Sequence, residues 1–96
     1  MHYLLFYDVV PDYLTRRATH RPLHLEYARK AVERGELVLG GVLDDPTEPV
    51  MLFSGTSPEV AEGFARKDPY VLNGLVRSWR VREWKTVVGA GAAHSV

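Results

Sequence analysis

Hydrophobic residues fall in two rhythms along this chain, and the changes of rhythm outline six elements. Residues 2–9, His-Tyr-Leu-Leu-Phe-Tyr-Asp-Val, are rich in aromatic and branched side chains and predict a strand that Pro11 ends. Residues 10–20 show no clear period and read as a loop, or a loop with a short helical turn. Leu25, Ala28 and Val32 then recur at i, i+3 and i+7, the stripe of a helix facing a core. Proline is favoured in a first turn, and the residue before it is pushed out of helical geometry. The helix is therefore predicted from about Pro22 to Arg34, with Arg21 at its cap and Gly35 as its stop.

Residues 36–43 predict a second strand, Asp44 to Pro49 a turn, and Val50 to Ser54 a third strand. A second helix is predicted to start at Thr56 or Ser57, with Pro58 and Glu59 in its first turn. Val60, Ala61, Phe64 and Ala65 make its buried side, and it ends at Asp68 because Pro69 disfavours helical geometry there. Asn73-Gly74 is a turn signal. A long last strand follows from Leu75 to about Val87. Trp79 and Val81 share one of its faces, and Ser78, Arg80 and Arg82 the other. Residues 88–96 are Gly- and Ala-rich and read as a disordered tail, leaving one domain at 1–87. The order β-α-β-β-α-β predicts an α+β, ferredoxin-like fold: a four-stranded antiparallel sheet with two helices on one face.

In that topology strands one and three are central, and a sheet covered on one face alone should alternate apolar and polar residues there. Here Tyr3, Leu5, Tyr7 and Val9 make one apolar face of strand one, while Leu4 and Phe6 make the other apolar too. Val50-Met51-Leu52-Phe53 is apolar throughout. Helices cover one face. The second face predicts a homodimer, with the sheets of two copies packed together. The plainer alternative is a monomer whose tail folds back over the sheet.

Ninety-six residues make a single small domain. With no cysteine, disulfides, thiolate nucleophiles and Cys-based zinc sites are excluded, which fits a cytoplasmic setting. Twelve basic residues balance twelve acidic ones, so no strong field draws the chain to nucleic acid or membrane. No apolar run approaches membrane-spanning length. There is no Gly-rich phosphate loop and no metal-ligand spacing; Gly40-Gly41 reads as a bulge in strand two. No metal or organic cofactor is expected.

Chemistry concentrates in two places. Arg16-Arg17-Ala18-Thr19-His20-Arg21-Pro22-Leu23-His24 opens the first helix with cations and imidazoles. In a first turn, the helix dipole and the neighbouring arginines would leave His24 a neutral imidazole, as a general base requires. The plainer reading is a half-buried histidine bonded to backbone. Asp68, in Asp68-Pro69-Tyr70, ends the second helix, where the dipole is unfavourable to a carboxylate, and that suggests a partner. Asp-Pro is equally a plain helix terminator. Arg16, Arg17 and Arg21 can grip a carboxylate, phenolate or enolate through bidentate hydrogen bonds. Tyr7 and Asp8, at the end of strand one, can line the same region.

These residues carry a resemblance. The aromatic first strand ending near Asp8, the Arg17…Arg21-Pro22-x-His24-Leu25 run, Gly35-Glu36-Leu37, Gly40-Gly41, Ser57-Pro58-Glu59-Val60-Ala61 and Asp68-Pro69-Tyr70 together resemble the YciI-like family of small dimeric α+β-barrel proteins. The likeness runs from residue 1 to about 87. It implies a ferredoxin-like fold, a dimer whose sheets form a barrel, and an active site centred on a His–Asp pair, here His24 and Asp68. Arg17, Arg21, Tyr7, Asp8 and Tyr70 are the expected substrate contacts. One branch of the family is associated with dehydrochlorination of a chlorinated hydroxyhydroquinone, and this chain is shorter than typical members at Asp44–Pro49. The implied function is a cofactor-free His/Asp acid–base enzyme of lyase, isomerase or dehydrochlorinase type acting on a small aromatic or cyclic compound. The alternatives are a dimer that binds a small anion without turnover, a structural dimer docking through its sheet and Trp84, and a cofactor-free monooxygenase or muconolactone-isomerase-like barrel.

Overall fold

Among the described residues four strands and three helices follow in the order β1 (His2–Val9), α1 (Tyr13–Glu33), β2 (Leu37–Val42), β3 (Pro49–Ser54), α2 (Glu59–Lys67), α3 (Pro69–Leu72) and β4 (Val76–Trp84). This computed structural model describes residues 1–44 and 48–94; the middle of the turn expected at Asp44–Pro49 lies outside them. The sheet order is β2-β3-β1-β4 with antiparallel neighbours, the βαββαβ ferredoxin-like arrangement.

Alternation in β1 sets the two faces. Tyr3, Leu5, Tyr7 and Val9 point into the core beneath the helices and are at most 5% exposed. Met51 and Phe53 of β3, opposite Leu5 and Tyr3, complete the centre of that face. Ala61, Phe64 and Ala65 of α2 and Ala31 of α1 pack onto it. The other face carries Leu4, Phe6, Val50 and Leu52, all half-buried, with Arg80 stacked 4.3 Å above the Phe6 ring. On β4, Trp79 and Val81 sit opposite Tyr7 and Leu5, whereas Ser78, Arg80 and Arg82 sit opposite Asp8, Phe6 and Leu4.

The first helix starts at Tyr13 rather than Pro22, so Pro22 lies in its interior. Local chemistry points to a start at proline, but Tyr13 is 3% exposed and its ring meets Tyr70 edge-on at 5.7 Å. Arg16 reaches the Asn73 carbonyl at 3.3 Å. These contacts hold residues 13–21 helical despite the hydrogen bond that Pro22 forfeits. At the other end Gly35 (φ +77°) closes the helix, with Glu36 N–H on the Ala31 carbonyl and Gly35 N–H on that of Val32. Gly74 (φ +77°) ends α3 in the same way, with Leu75 N–H on the Tyr70 carbonyl and Gly74 N–H on that of Val71.

A bulge does occur in β2, but between Leu37 and Leu39 rather than at Gly40-Gly41. The described part of the segment after Thr86 turns back on it. Ala93 N–H donates to Thr86 Oγ1 at 2.8 Å and His94 N–H to the Thr86 carbonyl at 2.9 Å. Among the described residues, no helix is long and apolar enough to cross a membrane.

Candidate active site

Asp-Pro does three things at once at the end of α2. Pro69 holds Asp68 extended (φ −64°, ψ 128°), which stops α2. The same residue then caps the one-turn α3, its Oδ1 accepting from Tyr70 N–H at 3.0 Å. The carboxylate is thereby turned inward and fully buried, at 0% exposure. The expected clash with a negative helix end is answered by this second role, because Asp68 is also a helix start.

A buried carboxylate needs donors. Tyr7, from the core face of β1, donates its hydroxyl to Asp68 Oδ2 at 2.6 Å. His24 supplies the third contact, Nδ1 to Oδ1 at 2.8 Å. Burial, and then the Asp68 charge and hydrogen bond, push the Tyr7 phenol far above its ordinary range, so Tyr7 remains a donor. A carboxylate accepts only, so His24 Nδ1 carries the hydrogen, and in the neutral imidazole Nε2 is then the nitrogen with the lone pair. Nε2 has no hydrogen-bond partner, and among the described residues no buried side-chain nitrogen or oxygen lacks one, so Nε2 is open.

The imidazole lies flat on Tyr70, rings 3.9 Å apart and 6° from parallel. Burial, with Tyr13 beside it, pushes the Tyr70 phenol up to about 12, against the pull of Arg21 and Arg17. His24 is therefore fixed from two directions, by an in-plane hydrogen bond and by a ring against its face. It lies well inside α1, not in a first turn, so the helix-end dipole expected to act on it is absent.

In front of His24 is a cavity of about 270 Å³. Of the residues expected to contact substrate, Tyr7, Arg17, Arg21 and Tyr70 line it with His24. Asp8 does not. Strand alternation puts it on the opposite face, where it pairs with Arg77 at 2.9 Å and Ser78 at 3.4 Å. Arg16 also faces elsewhere, towards Asp12 and Asn73. Tyr13, Arg29 and Gly40-Gly41 join the lining without having been expected. The glycine pair carried a signal of its own, since two residues without side chains open room in a wall. A Cβ on Gly40 would stand 3.3 Å from Met51. Among the described residues no group of His, Asp and Glu is gathered to hold a metal.

The family model of the YCII-related domain matches residues 1–85. The chain belongs to that family. Among solved structures it is similar to 5-chloro-2-hydroxyhydroquinone dehydrochlorinase from Burkholderia phenoliruptrix, in complex with 2,5-dihydroxybenzoquinone. That match has 23% identity and a TM-score of 0.74, over 90% of this chain and 95% of that one. It is also similar to a protein of Agrobacterium tumefaciens at 16% identity and a TM-score of 0.58, over 97% and 98% of the two chains. No curated protein sequence matches it. At these identities the likenesses establish the fold.

Tyr7→Phe tests how the YCII-domain carboxylate is held. It removes one of three donors to a buried charge while keeping the ring. The expected loss is about 1.5–3 kcal/mol, read from urea unfolding at constant m-value. An unchanged midpoint would mean that the hydroxyl does not support Asp68.

Proposed function

We propose that this YCII-domain protein is an acid–base enzyme of lyase, isomerase or dehydrochlorinase type acting on a small aromatic or cyclic compound. The observation that carries the reading is a buried Asp68 on the Nδ1 of His24, whose Nε2 is unbonded and whose side chain belongs to the lining of a cavity large enough for a ring. In the proposed step an acidic O–H or C–H of the substrate gives its proton to Nε2. The imidazolium that forms lies against Asp68, which orients it and balances its charge. The negative charge left on the substrate faces Arg17 and Arg21. The electron pair then expels a leaving group, chloride in a dehydrochlorination, or the proton returns at another carbon in an isomerisation. The hydroquinone substrate in the name of the Burkholderia neighbour supports the substrate class.

The test is turnover of a panel of chlorinated hydroxyhydroquinones, followed by chloride release, and of cyclic enols, followed by absorbance, with wild type and His24→Ala. His24-dependent turnover is expected. Turnover that His24→Ala retains in full overturns the reading. A second reading is a dimer that binds a small anion without turning it over, favoured by the arginines in the lining; it gives binding and no product.

A homodimer is part of the same proposal. Leu4, Phe6, Val50 and Leu52 form a continuous half-buried patch, flanked by Leu39 at 68% exposure and Trp84 at 49%. A second copy of this sheet face is a self-complementary cover for it. Light scattering is expected to give twice the chain mass for wild type and the chain mass for Leu52→Glu. A monomeric wild type contradicts it.

A further inference from the structure

The cavity carries more positive charge than proton abstraction uses. Arg17, Arg21 and Arg29 line it, and among the described residues no Asp or Glu does. Of the six arginines elsewhere four pair with acids, Arg16 with Asp12, Arg34 with Glu36, Arg66 with Glu59 and Arg77 with Asp8, while Arg80 lies over the Phe6 ring. Among the described residues the three cavity arginines make no ion pair. Arg29 is the informative one. Glu26 and Glu33 stand three residues before it and four after, the spacings at which helix charges pair. Glu26 takes Lys30 instead, at 3.6 Å, and Arg29 stands on the cavity wall.

Positions around α1 separate the three cations. At about 100° per residue, Arg17 and Arg21 lie within roughly 60° of His24, and Arg29 lies about 140° away. Along the axis Arg29 is about 7–8 Å beyond His24 towards the C-terminal end, while Arg21 and Arg17 lie about 4–5 and 10–11 Å before it. Leu25, Ala28 and Val32 of the helix, with Leu37 and Met51 of the sheet, form the wall between them. One end of the cavity thus offers an imidazole with two guanidiniums. The middle is apolar, and the far side offers one guanidinium that the acid–base step leaves unused. An apolar middle suits a ring. A cation remote from the reacting atoms suits a charge that the substrate brings with it, not one that develops during the reaction.

We propose that the substrate is a ring bearing a carboxylate, with that carboxylate held by Arg29 while the acidic O–H or C–H on the ring meets His24. Arg29 is then the specificity-determining residue of the site. The inference rests on the acid–base reading of the same cavity. It separates substrates by a group that takes no part in the chemistry.

Calorimetric titration with hydroquinone and 2,5-dihydroxybenzoate, the same ring with and without the carboxylate, tests it on wild type, Arg29→Gln, Arg29→Lys and His24→Ala. Wild type is expected to bind the carboxylate about tenfold more tightly or better. The preference should collapse in Arg29→Gln and return in part in Arg29→Lys, which restores charge without the planar fork. No preference in wild type, or a preference that survives in Arg29→Gln, overturns the inference. If His24-dependent turnover of a ring substrate is then still found, the acid–base reading stands without it. If neither ring binds at millimolar concentration, both are overturned.

Discussion

His24→Ala is expected to lower kcat/KM on a true substrate by roughly 10²–10⁴-fold, the range lost when a positioned general base is removed. The substitution takes away the open Nε2 and leaves Arg17, Arg21, Tyr7 and Tyr70 around the cavity. Binding should survive better than turnover, so the loss should fall mainly on kcat. The cost to the fold is smaller. Asp68 loses one donor but keeps the Tyr7 hydroxyl and the Tyr70 N–H, and His24 is only partly buried. A fall of about 1–3 kcal/mol in unfolding free energy is expected. Denaturant melts and initial rates, both at a temperature where the variant is folded, separate the two effects. A variant as active as wild type would remove His24 from the chemistry.

Asp68 is the position where substitution should cost the fold most. In Asp68→Ala three donors lose their acceptor at once: the Tyr7 hydroxyl, the Tyr70 N–H and His24 Nδ1–H. Leaving such groups buried and unpaired costs about 3–5 kcal/mol, a large share of the stability of a domain this small. Much of the protein should be unfolded near physiological temperature. Asp68→Asn separates the structural role from the chemical one. The Tyr70 N–H requires an oxygen at the Oδ1 position, so the amide nitrogen must take the Oδ2 position beside Tyr7, whose hydroxyl can accept as well as donate. The oxygen still accepts from His24, so the imidazole keeps its tautomer. The negative charge opposite the imidazolium is gone. We expect Asp68→Asn to be clearly more stable than Asp68→Ala and to lose roughly 10²-fold in kcat. Equal melting of the two variants would contradict the hydrogen-bond assignment. An unimpaired kcat in Asp68→Asn would contradict a role for the charge.

Much of this arrangement was legible from the residues, and the departures have physical causes. The alternation Tyr3, Leu5, Tyr7, Val9 belongs to one strand and sets its two faces, so β1 reads correctly from pattern alone. The same alternation shows that Asp8 must face away from Tyr7, and weighing nearness in sequence above side-chain direction misplaced it. Pro22 is a true local signal that lost to a distant one, because the helix begins at Tyr13 where a ring packs on Tyr70. No local rule contains that contact. The His24–Asp68 pair was suggested by residue type, but its closeness depends on α1 docking beside α3, which spacing along one chain does not encode. Arg29 was passed over because an exposed arginine between two glutamates looks like an ordinary solvated helix face.

The most direct test of the central claim is nitrogen NMR of the His24 ring in the unreacted protein, in the neutral form of the imidazole, with and without 2,5-dihydroxybenzoate. The account predicts a hydrogen on Nδ1 and a bare Nε2 in the free protein, with the Nε2 resonance moving when the ring enters the cavity. The same spectrum of Asp68→Ala, taken at a temperature where that variant is folded, should lose the fixed tautomer. A hydrogen found on Nε2 in the wild type, or an Nε2 signal indifferent to every ring that binds, would contradict the assignment of His24 as the base.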